Sequence, residues 1–516
     1  MSTEPNNVTA PASGPPDLSK YSGAAWAKFI ILSGFGIFVF FINITLPAYT
    51  NPFSGWETAS RHTMLITHLS DFIRHSLWTG SIKAMPAIIW LFGVYCLWDI
   101  FKVNPAKAWK TTSVNKVFSV FKCIGFVLVT FTAINFYTST FNSPGTGAEG
   151  VALWAAIPGT GWAPAFMGWY FEPILVGARS MAISPFVLSS ILVMVTITIP
   201  LAAAFLPFLT NYGLVDFFGV FMRGVMRPLF KLPGRASVIS VSALLASFVV
   251  AFIGAATEYN TGKMTQKEAM IIAYGLSSAS IGFLFVLGAN TGIMHIWNLY
   301  LWPAFFLVLI VTVIVVRIPP LSMIPNTYKE GVTPNPEVTY AQYAVKNAFN
   351  NALQLAENPK SFWKEFIEIM KSMRVVLGNV ATGSTLFATV GLALYYFTPI
   401  IEWTRWIFFP LMRIFLGAEE ALVGGAGAVL SFIEITLPTL LVVGSEPEMF
   451  SMMLRYMLAM IPIGSIIFIA AWVPTVLAMP LPVKFSHIVV SWFFRMILSI
   501  LFTGAFALLL QAVGVF

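Results

Sequence analysis

Apolar runs of about 20 residues recur along most of this chain, the length a helix needs to cross roughly 30 Å of hydrocarbon. One run, GGAGAVLSFIEITLPTLLVVG at 424–444, carries a single charge, Glu434. Of the 516 residues, 58% are apolar and only 10% are charged; soluble domains sit nearer about 25% charged. The pattern specifies an all-α, polytopic helical membrane protein with about 10–11 transmembrane segments, since a barrel would show short alternating segments instead. The lipid bilayer is therefore its first partner. The net charge of +8 lies mostly in loops, so it reports topology and gives no reason to expect nucleic acid.

Spans are predicted at 25–48, 84–102, 116–137, 181–207, 236–257, 267–289, 295–317, 375–398, 420–443, 450–478 and 486–513. Residues 61–79 and 211–231 read as shorter, interfacial or half-inserted helices. The polar, Pro-rich residues 1–23 read as a disordered tail without the order of a cleavable signal. The expected organisation is an N-terminal bundle at 24–210, a first repeat at 211–317, amphipathic linker helices at 318–374 and a second repeat at 375–516. Within the linker, 338–372 alternates apolar and polar residues at helical spacing, with Pro359 dividing two pieces. Cys96 and Cys123 fall inside predicted spans and read as packing residues.

Lys and Arg set the expected orientation. The loop 101–116 holds four lysines and no acid, which places it in the cytoplasm, with the N-terminus. The stretch 138–168, rich in Gly, Pro and Trp, faces outside. Arg223, Arg227, Lys231 and Arg235 then lie inside. So should the basic segment 317–374, yet three predicted spans separate it from Arg235. Either the charge rule fails there or one segment is a re-entrant hairpin, which requires protein or a wet cavity to satisfy its backbone. The expected location is a bacterial inner membrane.

An ungapped offset of 182 residues aligns Arg223 with Arg405, Pro228 with Pro410, Ala236 with Ala418, Thr257 with Thr439, Gly262 with Gly444, Tyr274 with Tyr456 and Gly282 with Gly464. Many secondary transporters are built from such repeats, and the charge pattern makes this one inverted. The stretch PLFKLPGRASVISVSALLASFVVAFIGAATEYNTGKMTQKEAMIIAYGLSSASIGF, 228–283, resembles the nucleoside-recognition (Gate) domain, and the whole-chain plan resembles its YjiH-type branch. The resemblance implies small-solute transport through paired broken helices. The paired Gln/Glu hairpin motifs of nucleoside carriers are not matched. The branch association favours an amino acid or small peptide over a nucleoside.

Polar residues inside apolar spans mark the candidate site, because ionisable groups there are costly and face the bundle interior. Glu434 is the first, with Ser431 and Thr436 beside it as a seat for a coupling ion, H⁺ or Na⁺. Pro438 is expected to free the Glu434 carbonyl from its helical partner. The rival reading is a protonated Glu434 bonded to a neighbouring helix. Thr257, Glu258 and Asn260, on a turn that Gly262 closes, are candidates to contact a small polar solute, as are Ser277, Ser278, Ser280 and Asn290. The repeat places Pro462 opposite Ser280, which predicts an interruption in the second copy. Packing between helices competes with substrate lining for the serines.

His68, Asp71 and His75 share one helix face, where a polar interfacial face is the simpler reading than a metal site. Glu419 and Glu420 fit the start of a helix. No cofactor is implied. GxxxxGK[ST], HExxH, GxSxG and CxxC are all missing, which argues against an ATPase or an enzyme. The functional reading is an ion-coupled secondary transporter. Its alternative is a non-transporting partner in a membrane assembly, and the oligomeric state is left open to a homo-oligomer.

Overall fold

The computed structural model describes residues 16–138 and 170–516, apart from 54, 56, 59–60, 80–83, 104–112, 171–172, 177–178, 206, 235, 246–247, 278–280, 335–343, 360, 444–448 and 478. The outer loop at 138–168 and most of the four-lysine loop lie outside the described residues. Five described helices are long and apolar enough to cross a membrane: Met85–Val103, Lys116–Tyr137, Met294–Val315, Leu377–Phe397 and Phe485–Ala512. They coincide with five predicted spans. Among the described residues one large apolar core runs through the bundle, and a smaller one joins Ala25 and Phe29 to Ala352, Leu353 and Ala356.

The remaining predicted spans differ from expectation in instructive ways. The one at 25–48 is helical only to Phe41. Asn43–Leu46 then pairs antiparallel with Arg61–Met64, because Thr45 and Pro47 break the helical run. Two smaller ribbons, Tyr49–Thr50 with Glu57–Thr58 and Pro173–Val176 with Arg179–Ala182, also qualify the all-α reading. The segment 183–205 is helical.

The predicted crossing at 236–257 is a hairpin. Its arms, Ala236–Leu245 and Phe248–Asn260, have 10 and 13 residues, about 15 and 20 Å at 1.5 Å per residue, too short for the hydrocarbon core. They lie side by side: a Cβ on Gly254 would stand 2.8 Å from Ile239 Cγ2. Both ends are tied to one face. Arg317 donates to the Leu229 carbonyl at 2.7 Å and the Pro228 carbonyl at 2.9 Å, just ahead of the hairpin. Lys329 Nζ donates to Asn260 Oδ1 at 2.6 Å, at its end. The chain enters from this basic face and returns to it. Only two crossings then separate Lys231 from Arg317, so these two basic residues share a face.

The first crossing is itself broken. Thr265 and Glu268 form a capping box that starts 266–276; the helix stops at Ser277 and resumes as Ile281–Thr291. Trp297–Val315 then returns to the basic face.

The same sequence of elements recurs later with opposite sense. Ala418–Ile433 breaks at Glu434 and turns back through Leu437–Leu440, so that a Cβ on Gly427 would stand 3.5 Å from Pro438 Cβ. Its entrance, at Glu420, is bonded to Ser451, the N-cap of the next helix. Met452–Ser465 breaks and resumes as Trp472–Leu477, and Phe485–Ala512 follows. Tyr456 Oη donates to the Leu299 carbonyl at 2.8 Å, and its ring lies against Phe516. Residues 299, 456 and 516 therefore lie toward the face opposite Arg317. At the other end Asn260 Nδ2 donates to the Pro480 carbonyl at 3.2 Å, on the basic face. One hairpin enters from each face, and the two broken helices run in opposite directions.

The offset of 182 holds at the hairpin starts, 236 and 418, but not beyond. The second hairpin has the longer first arm, so Tyr274 and Tyr456, and Gly282 and Gly464, are not structural equivalents, and Gly444 lies outside the described residues. Pro462 lies inside a helix whose break follows Ser465.

The second amphipathic piece of the linker is no separate surface helix. Phe362–Asn379 runs on through 380–384 into Thr385–Phe397. The first piece, Ala344–Glu357, receives the N-terminal segment: Tyr21 Oη donates to Asn350 Oδ1 at 2.9 Å, and Ser22 donates to Glu357. Tyr21 and Ser22 thus tie the chain ahead of Gly23 to this helix.

Candidate functional site at the crossed breaks

The two unwound stretches of the second unit meet through main-chain hydrogen bonds. Ile469 N–H donates to the Phe432 carbonyl at 2.7 Å, and Ala470 N–H to the Ile433 carbonyl at 3.0 Å. These bonds satisfy backbone that the breaks have freed, which membrane depth requires. Ile466, β-branched and buried, sits at φ +51 just before them. Such a conformation costs about 1–3 kcal/mol and clusters where function holds it in place. Gly383 on the neighbouring helix allows the approach: a Cβ there would be 2.7 Å from the Ala470 carbonyl oxygen.

Glu434 follows directly. It is fully buried and extended, φ −151 and ψ 136, at the C-terminal end of Ala418–Ile433. One carboxylate oxygen accepts from the Thr436 N–H at 2.6 Å and from the Thr436 hydroxyl. The other, Oε1, has no hydrogen-bond partner. The expected freed carbonyl is not found: Leu437 N–H donates to the Glu434 carbonyl at 3.2 Å, because the helix has already ended and Pro438 sits in the first turn of the next piece. Ser431 Oγ turns back to the Ala428 carbonyl at 2.7 Å.

A relay joins the two units here. Asn290 Nδ2 donates to Thr439 Oγ1 at 3.2 Å, and Thr439 Oγ1 donates to the Thr436 carbonyl at 2.7 Å. Ser277, at the break of the first unit, is also buried. It donates to the Ala273 carbonyl at 2.6 Å and accepts from Trp472 Nε1 at 3.0 Å. Trp472 opens the second half of the other broken helix, so the breaks of the two units lie together. Ser278 and Ser280 fall outside the described residues.

Thr257, Glu258 and Asn260 are placed elsewhere. They end the returning arm of the first hairpin, about 20 Å of helix from its tip, on the basic face. Glu258 is 3.7 Å from Lys263 in a half-exposed pair, and Asn260 ties together Lys329 and Pro480. These polar groups fasten loops and do not reach the crossing. Glu420, expected at the start of its own helix, also caps the next through Ser451. His68, Asp71 and His75 are buried, but His68 turns to the Ile44 carbonyl and His75 to Arg74. Among the described residues no group of three such side chains is arranged to hold a metal ion.

Two buried arginines were missed. Arg495, in the middle of Phe485–Ala512, is completely buried. Its Nε donates to the Gly464 and Ser465 carbonyls at 3.1 and 3.3 Å, the exposed C-terminal end of the half-helix Met452–Ser465. Its Nη1 donates to Thr312 Oγ1 at 3.2 Å, and Thr312 in turn donates to the Gly275 carbonyl, one turn from the other break. Arg455 closes carbonyl ends nearer the opposite face, at Phe450, Thr291 and Val442. Cations at helix C-termini complement the dipole. The signal for Arg495 was present: it is a lone charge in a 28-residue apolar helix, the criterion that selected Glu434.

Residues 191–294 match a family model described as nucleoside recognition, Gate; they cover the first hairpin and the first broken helix. An uncharacterized protein of Alkalihalophilus pseudofirmus is 28% identical over 315 residues, 58% of this chain and 64% of that protein, so the match spans less than two thirds of the relative's length. Two solved structures of CNTnw variants, one in an outward-facing state and one in an intermediate 1 state, are 13% and 12% identical and each overlaps with a TM-score of 0.35. The overlaps cover 86% and 93% of this chain and 98% of each of those chains. That score is too low to transfer an architecture. The Gate resemblance read from the sequence therefore holds over residues 191–294, within a multi-pass helical membrane protein.

Proposed function

We propose that this chain is an ion-coupled secondary transporter that moves a small polar organic solute by alternating access. The observation that carries this reading is Glu434: a fully buried carboxylate with one free oxygen, at the tip of a re-entrant hairpin, where breaks from two units of opposite sense meet. Inverted units with a site at the crossing of discontinuous helices are the construction of many secondary transporters. Glu434, held by Thr436, loads and unloads the coupling ion, H⁺ or Na⁺. Ser277 and Asn290 line the solute path, together with Ser278 and Ser280. Thr257, Glu258 and Asn260 act at the basic face in gating or loop anchoring.

The solute is an amino acid or small peptide in preference to a nucleoside, in keeping with a YjiH-type membership. The basic face is cytoplasmic, and the membrane is a bacterial inner membrane. The test is uptake into proteoliposomes of labelled alanine, alanyl-alanine and uridine under an imposed Na⁺ or H⁺ gradient. Gradient-dependent accumulation of one class is expected. No accumulation above protein-free vesicles for any of them, under either gradient, would favour the assembly-partner reading.

A further inference from the structure

Arg495 carries a full charge at a depth where charge is expensive, and its guanidinium is incompletely used. Nε and Nη1 have their acceptors, but Nη2 is buried with no hydrogen-bond partner. Among the described residues no carboxylate pairs with it. The helix end at Gly464 and Ser465 supplies about half a negative charge, which leaves a net positive site. Arg455 differs in the respect that matters: the Glu420 carboxylate acts on it. An uncompensated buried ion is costly, and an anion arriving at Nη2 offsets that cost.

Arg495 also stands beside the crossed breaks. It grips residues 464–465, at one end of the unwound stretch 466–471, while residues 469–470 of that stretch pair with 432–433 beside Glu434. Trp492, one turn away on the same helix, packs on Phe432 with ring centroids 4.5 Å apart. Arg495 and Glu434 thus flank one unwound segment, one with a free donor and the other with a free acceptor.

We infer that Arg495 receives the carboxylate of the transported solute, which makes the solute class a carboxylic acid bearing other polar groups, as amino acids and short peptides do. A carboxylate fits the guanidinium edge and brings the opposite charge; a neutral nucleoside can accept a hydrogen bond from Nη2 but leaves the buried charge uncompensated. The inference rests on the transporter reading for the word solute, and the binding assignment is testable without it.

The experiment measures thermal stabilisation of the purified full chain in detergent by alanine, alanyl-alanine and acetate, each beside its amide, with uridine as the neutral probe. Wild type, R495K and R495Q are compared. At least one acid is expected to stabilise the wild type where its amide does not. R495K is expected to weaken that acid about tenfold or more, because an ammonium lacks the planar fork. R495Q should abolish the preference. If R495Q does not fold, R495K carries the test, read as the ratio of acid to amide affinity. Equal effects of acid and amide, stabilisation by uridine alone, no effect of any acid at saturating concentration, or an unchanged ratio in R495K would overturn the assignment. Acid binding without uptake in vesicles would overturn transport and leave Arg495 standing. Uptake of uridine unaffected by R495K would do the reverse.

Discussion

Asn290 and Thr439 stand 149 positions apart and are joined by a 3.2 Å hydrogen bond between the two units. Asn290 ends the first broken helix, and Thr439 lies on the return arm of the second hairpin. From Thr439 the chain of bonds runs to Thr436 and then to Glu434. Asn290→Ala and Thr439→Val should each cost about 0.5–1.5 kcal/mol, because each removes a buried hydrogen bond between the units. The double variant should lose clearly less than the sum, as coupled neighbours do. Thermal midpoints of the four proteins decide it, and strict additivity would dissolve the link.

Topology gives a second test. On a background with Cys96 and Cys123 replaced by Ala, cysteines at Arg227 and Lys329 should react with an impermeant maleimide from one side of the membrane. Cysteines at Trp403 and Ser451 should react only from the other. Labelling of Arg227 and Lys329 from opposite sides would mean that 236–260 crosses after all.

Packing at the crossing depends on Gly383. A methyl there meets the Ala470 carbonyl oxygen at 2.7 Å. Gly383→Ala should lower stability by about 1–3 kcal/mol through overpacking. Gly224→Ala, at an exposed helical position with nothing within 4 Å, should instead raise it by roughly 0.5–1 kcal/mol. A neutral Gly383→Ala would show that the unwound stretch has room to move aside.

Five spans were legible because the length of an apolar run is itself the signal for a crossing. The hairpins were not, since a segment that enters and returns is as apolar as one that crosses. The broken count of basic loops did anticipate one of them, and it came from Arg and Lys positions, not from hydropathy. Glu434 and Asn290 were found because a polar group in an apolar run is costly wherever it sits. Arg495 meets the same rule, but it sits in an unbroken helix, Phe485–Ala512, whose sequence shows no interruption to mark a site. Thr257, Glu258 and Asn260 lie away from the crossing, because sequence adjacency to an apolar span does not say at which depth a turn lies. The ungapped repeat slipped for a related reason: arm lengths of hairpins vary while their ends stay fixed.

The depth of those residues separates two accounts of where the solute passes. Glu258 sits at the basic face with Lys263, and Glu434 sits at the crossing. The most direct measurement is gradient-driven accumulation in proteoliposomes by wild type, E434Q and E258Q, reconstituted side by side with the solute that the uptake panel identifies. Gln at 434 can still accept from Thr436, so the fold is retained while the charge is lost. E434Q is expected to fall by about tenfold or more, the equivalent of about 1.4 kcal/mol or more, while E258Q stays within about twofold, as expected for an exposed pair. Full accumulation by E434Q together with loss in E258Q would place the path at the basic turn and contradict the site at the crossed breaks.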